Sequence, residues 1–130
     1  MTKHIPSFIV LALAFSLIAG SALAGEIKPY SETAFTEAKA AGKTVLLDFH
    51  ADWCPVCKKQ GPILHSLVQE DEFKDVAAFK VDYDNEDALK KQLKVTNQST
   101  LIVFKGEKVV ARATWVTDAD KIRALIKKGL

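Results

Sequence analysis

Cys54 and Cys57 are the only cysteines in this chain, and only Pro55 and Val56 stand between them. A thiolate is both a nucleophile and a soft metal ligand, so a pair at this spacing points to disulfide exchange or to metal binding. The pair falls between an apolar run, Thr44 to His50, and a stretch of helical periodicity from Lys58 to Gln69. The first sulfur is therefore expected at the amino end of a helix, where free N–H groups and the positive dipole end favour a thiolate. On that reading Cys54 attacks a client disulfide. Cys57, one turn on and less exposed, reaches back to resolve the mixed disulfide and release the reduced client. Such chemistry needs no bound cofactor, because the electron pair is carried by the Cys54–Cys57 disulfide itself.

Other readings use the same residues. An inert structural disulfide is disfavoured because so short a loop constrains the unfolded chain least. A metal or iron–sulfur site could draw on Cys54, Cys57 and His50, with Ser99 or a second chain supplying what is missing. His50, however, lies in the apolar strand pattern, where a packed histidine is the commoner outcome, and there is no second Cys-x-x-Cys to complete four sulfur ligands. A redox-silent binding module is the third reading. Asp48, between Leu47 and Phe49, is a carboxylate in an apolar strand. Desolvation should raise its pKa and let it hold or pass a proton beside Cys57; the alternative is an aspartate tucked against Lys80 or solvent. Trp53 is expected either against the active-site turn or as core filling.

The elements that must position these groups follow from pattern. Ser31 can cap a helix with Ala34, Phe35, Ala38 and Ala41 on one face, stopped by Gly42. Thr44 to His50 is apolar on both alternating sets, as in a central strand covered on two sides. The helix from Lys58 to Gln69 carries Gly61-Pro62 in its path, where a kink is expected. Ala77 to Tyr83 reads as a strand and Glu86 to Leu93 as a short helix. Thr100 to Phe104 and Lys108 to Thr114 read as an antiparallel hairpin turning at Gly106. Asp118 to Lys128 closes the chain as a helix with Ile122, Leu125 and Ile126 inward. This order implies an α/β domain with a mixed sheet flanked by helices on both faces.

With 130 residues there is room for one ordinary domain, and 48% hydrophobic residues can build its core. Eighteen Lys+Arg against sixteen Asp+Glu is too balanced to imply a nucleic-acid or anionic-membrane partner. Lys3 and His4 precede an apolar run from Phe8 to Ala19 and the small-residue pattern Ala22-Leu23-Ala24. Residues 1–24 thus read as a cleaved secretory signal peptide, the run being short of the roughly 20 residues a membrane span needs. The domain is then 25–130, exported as a monomer to an oxidising space, for which the bacterial periplasm fits best.

The segment Val45-Leu46-Leu47-Asp48-Phe49-His50-Ala51-Asp52-Trp53-Cys54-Pro55-Val56-Cys57-Lys58 resembles the active-site segment of thioredoxins, and the likeness extends over nearly all of 25–130. Ala51-Asp52-Trp53-Cys54 with a secretory leader resembles periplasmic members, such as the C-terminal domain of the membrane reductant conductor DsbD, more than cytosolic thioredoxin. The resemblance implies a thioredoxin-like fold and a thiol:disulfide oxidoreductase. It also implies an Asp48 carboxylate beneath the resolving sulfur with Lys80 as its neighbour, and a client groove bordered by Trp53, Pro55, Val56, Gln98, Ser99 and Trp115. Two departures matter. Ser99 stands where the family has a cis-proline facing the cysteines; a non-proline cis bond costs about 2.5–4 kcal/mol, so a trans peptide and a reshaped groove are expected. In the family that proline also discourages metal binding, so its loss strengthens the metal reading. Trp115 stands where the family usually has a glycine beside the groove, which narrows the range of clients if the indole faces the cysteines. The uncharged Pro55-Val56 dipeptide offers no donor to a thiolate, and a reductant is expected rather than an oxidant. A reductant in an oxidising compartment needs electrons delivered, for which a membrane-bound DsbD-like donor is expected; its clients are protein or small-thiol disulfides.

Overall fold

The computed structural model describes residues 25–130; the expected signal peptide, 1–24, lies outside them. In chain order the elements are β1 (Ile27–Pro29), α1 (Glu32–Ala40), β2 (Thr44–His50), α2 (Pro55–Val68) and a 3-10 turn (Asp71–Phe73), then β3 (Ala77–Asp82), α3 (Asp87–Leu93), β4 (Thr100–Lys105), β5 (Lys108–Thr114) and α4 (Ala119–Lys127). The strands form one sheet in the order β1-β3-β2-β4-β5. β3 runs parallel to β1 and β2, while β4 runs antiparallel to β2 and β5. The expected mixed sheet between helices is thus what the chain forms.

β2 is the centre of the sheet, and its composition explains why. Val45, Leu46, Leu47 and Phe49 are each at most 1% exposed. Because strand side chains alternate, Val45, Leu47 and Phe49 pack on one face with Phe35 of α1 and Leu89 of α3. Leu46 packs on the other with Leu64 of α2 and Ile122 and Ile126 of α4. Truncating a side chain at either core, Leu46→Ala for example, costs about 2–5 kcal/mol. Asp48 and His50 share the phase of Leu46, which aims them at the α2 side of the sheet.

The ends of the elements were legible from their caps. The Ser31 hydroxyl accepts the Ala34 N–H, and Gly42, with φ 73°, turns the chain out of α1 where a side chain would be strained. The Asp118 carboxylate accepts the Lys121 N–H and starts α4. β4 and β5 turn at Gly106, as the hairpin spacing predicts. Two elements have no sequence signal: β1 is a three-residue edge strand, Ile-Lys-Pro, and the 3-10 turn follows α2. The one boundary that matters for chemistry is that of α2, which begins at Pro55 rather than Lys58 and continues through Pro62. Proline is well suited to the first helical position, since its missing N–H would have had no partner there.

Candidate active site

Because α2 starts at Pro55, Cys54 is its N-cap residue, with an extended backbone and a sulfur that accepts the Cys57 N–H at 3.1 Å. The turn before it is closed by the Cys54 N–H donating to the Ala51 carbonyl. Both cysteines are thiols. Ala51, Cys54 and Cys57 form a small buried cluster against Val56 and Tyr83. An exposed first sulfur beside a shielded second was expected; instead Cys54 is 0% and Cys57 1% exposed. The Ser99 hydroxyl lies against both, 3.2 Å from the Cys54 sulfur and 2.8 Å from that of Cys57.

The electrostatics separate the two sulfurs even though burial does not. Burial pushes the Cys54 thiol up, but hydrogen bonds from the Cys57 thiol, the Ser99 hydroxyl and the N–H groups of Cys57 and Val56 outweigh it, and its pKa lies below the usual thiol value. For Cys57, burial and its hydrogen bond to Cys54 raise the pKa above that value, against the opposing pull of Ser99. Asp48 is 4% exposed, and its Oδ1 has no hydrogen-bond partner among the described residues. Burial raises its pKa to about 6, against the opposing charges of His50 and of Lys80, its register partner on β3. The desolvated carboxylate read from the sequence is therefore present.

Ser99 has the left-handed φ of 59°, and no peptide bond among the described residues is cis, as expected where serine replaces the family's proline. Its backbone is fixed on both sides: its N–H donates to the Phe49 carbonyl at 2.8 Å, and its carbonyl accepts the Trp115 N–H at 3.1 Å. Ser99 is completely buried, so among the residues expected to meet a client it is the one turned inward. Trp115, with φ 63°, is 55% exposed beside it, and Trp53 is 58% exposed with its indole N–H donated to Asp84 Oδ2 at 2.9 Å. Neither tryptophan fills the core. Pro55 is exposed, while Val56 and Gln98 are half-buried.

His50 is half-buried, as its strand pattern implied, but its Nε2 lies 3.0 Å from Asp52 Oδ1 rather than at the sulfurs. Among the described residues no group of three or more His, Cys, Asp or Glu side chains is arranged to hold a metal. The sequence reading missed Gln60, 1% exposed on α2, which donates to the Val116 carbonyl at 2.8 Å and more distantly to that of Ser99. Its Oε1 has no partner among the described residues. The signal was available: Cys57, Gln60, Leu64 and Leu67 fall on one helical face, and a glutamine there is an apolar position filled by an amide. Asp84 was missed because nothing in its loop marks it as the anchor of Trp53.

A buried dithiol with unequal sulfurs at the head of a helix, set beside the central strand of this sheet, defines a class of proteins that exchange disulfides. The family model described as Thioredoxin matches residues 26–128. The thioredoxin of Chlamydia trachomatis is 36% identical over 102 residues, covering 78% of this chain and 97% of its own. The mitochondrial thioredoxin of mouse is 37% identical over 84 residues, 65% of this chain and 50% of its own. Among solved structures, Trxlp of Edwardsiella tarda superposes with a TM-score of 0.75 at 39% identity, covering 78% of this chain and 98% of that one. Spinach chloroplast thioredoxin f gives 0.69 at 29% identity, covering 84% and 96%. This chain belongs to the thioredoxin family. It is a thiol:disulfide oxidoreductase whose redox centre is the cysteine pair and whose substrates are protein disulfides.

Proposed function

We propose that this protein is a reductant of protein disulfides outside the cytoplasm, with Cys54 as the attacking sulfur, Cys57 as the resolving sulfur and Asp48 as the proton carrier. The observation that carries the assignment of roles is the asymmetry of the pair: Cys54 caps α2 and has a thiol below the ordinary pKa, whereas the Cys57 thiol is above it. Cys54 attacks the client disulfide, a Cys54–client bond forms, and the expelled client sulfur takes a proton from water. Cys57 then gives its proton to the Asp48 carboxylate and attacks Cys54, and the second client thiol leaves as the Cys54–Cys57 disulfide closes. Because Cys54 is buried, a client must displace part of its cover, and the exposed Trp53, Pro55 and Trp115 around it are the surface it meets.

The leader-like residues 1–24 support export with cleavage after Ala24, and the pattern fits the periplasm. A reductant placed there draws its electrons from a membrane-bound donor of the DsbD kind. Trapping tests the roles. With Cys57→Ser, clients should accumulate as mixed disulfides on Cys54, and with Cys54→Ser they should not; trapping by both variants or by neither would overturn the assignment. The amino-terminal residue of the protein recovered from a periplasmic extract, expected to be Gly25, tests the leader.

A further inference from the structure

We propose that the Ser99 hydroxyl is a catalytic hydrogen-bond donor shared by the two sulfurs, serving Cys54 before attack and Cys57 before resolution. This deepens the oxidoreductase reading and rests on it. A serine hydroxyl carries one proton and two acceptor lone pairs, so it can donate to only one sulfur at a time while accepting from the other. Ser99 Oγ is within hydrogen-bond reach of both, at 3.2 Å from Cys54 and 2.8 Å from Cys57.

In the resting state the O–H points to the Cys54 thiolate, which also receives the Cys57 N–H and the Cys57 S–H. Once Cys54 is bonded to the client sulfur it is a thiolate no longer and a poor acceptor. The Cys57 proton passes to the Asp48 carboxylate, and the Ser99 O–H turns to the new Cys57 thiolate. That thiolate forms the Cys54–Cys57 bond as the Cys54–client bond breaks and the client sulfur takes up a proton from water. Two electrons leave the enzyme dithiol for the client, and Ser99 ends with the proton it began with.

The backbone around the hydroxyl supports a functional reason for it. A non-glycine residue at φ 59° is strained by the close approach of its Cβ to the backbone. Glycine would relieve that strain, yet a serine is held there by hydrogen bonds to Phe49 and Trp115 that fix where its oxygen points. The lowered Cys54 pKa agrees with a donor at that sulfur.

The test uses two variants, Ser99→Ala and Ser99→Gly, both without the hydroxyl but only the first still strained. On protein produced from the full chain, the pH profile of iodoacetamide alkylation at Cys54, located by peptide mass, is read for each. The titratable groups on the elements packed around the pair are Cys57 on α2, Asp48 and His50 on β2, Lys80 on β3 and Tyr83 after it, and both variants leave them in place. The profile should move up by about one to two pH units in both, since the charged sulfur loses a hydrogen-bond donor. An unmoved profile in both variants, or a shift in only one of two folded variants, would overturn the proposal. Should Ser99→Ala fail to fold, Ser99→Gly alone decides. The readout needs no client, so its failure beside intact trapping by Cys57→Ser sinks the role of Ser99 and leaves the oxidoreductase reading standing.

Discussion

The two ends of β2 treat buried polar groups in opposite ways. At its start, Thr44 is buried and its hydroxyl donates to the Gly129 carbonyl, tying the end of the chain to the sheet. Toward its other end, Asp48 is equally buried with an oxygen that has no partner among the described residues, and Gln60 on α2 carries a second such oxygen. Of the three non-glycine residues with positive φ among the described residues, two, Ser99 and Trp115, also belong to the reactive end. Thr44 at the first end is satisfied, whereas Asp48 and Gln60 each keep a buried oxygen without a partner among the described residues, a cost expected where stability is subordinate to chemistry.

The sharpest way to break this contrast is Asp48→Asn. Its pKa of about 6 lies above the ordinary 3.8, so the folded state favours the protonated form. The burial penalty is absent below about pH 4, grows as pH rises toward 6 and is complete above it. The asparagine variant should therefore match the parent in stability at pH 4 and exceed it by on the order of 3 kcal/mol at pH 8, while reducing clients more slowly; urea denaturation at both pH values reads this. Thr44→Val should act in the opposite direction, destabilising by about 1–3 kcal/mol at every pH because the Gly129 carbonyl loses its donor. It should leave client reduction intact, and an equal loss of turnover would erase the distinction between the two ends. The smallest effect is expected of Trp115→Gly. Relief of about 1–2 kcal/mol of strain is offset by about 0.5–1 kcal/mol of glycine backbone entropy, leaving a slight gain in thermal midpoint and a wider range of clients.

The satisfied end was the more legible of the two in the sequence. Apolar runs, caps at Ser31 and Asp118 and the turn at Gly106 are local signals, and they located every element except β1 and the 3-10 turn, which are too short to carry a period. At the reactive end, residue types announced Cys54, Cys57 and Asp48, because a Cys-x-x-Cys and a carboxylate in an apolar strand are anomalies at any position. What the sequence did not reveal depends on groups far apart in the chain. Ser99 meets the two sulfurs from 45 and 42 residues away, and Asp84 accepts the Trp53 indole N–H from 31. Gln60 lay on a readable helical face, but its partner Val116 did not.

Both tryptophans of the chain sit at this end with more than half of their surface in water. Native fluorescence should therefore resemble that of an indole in solvent and change little when the domain melts. Docking of a large ligand over the sulfurs would shift it instead, so emission is a gauge of occupancy, and denaturation is better followed by circular dichroism.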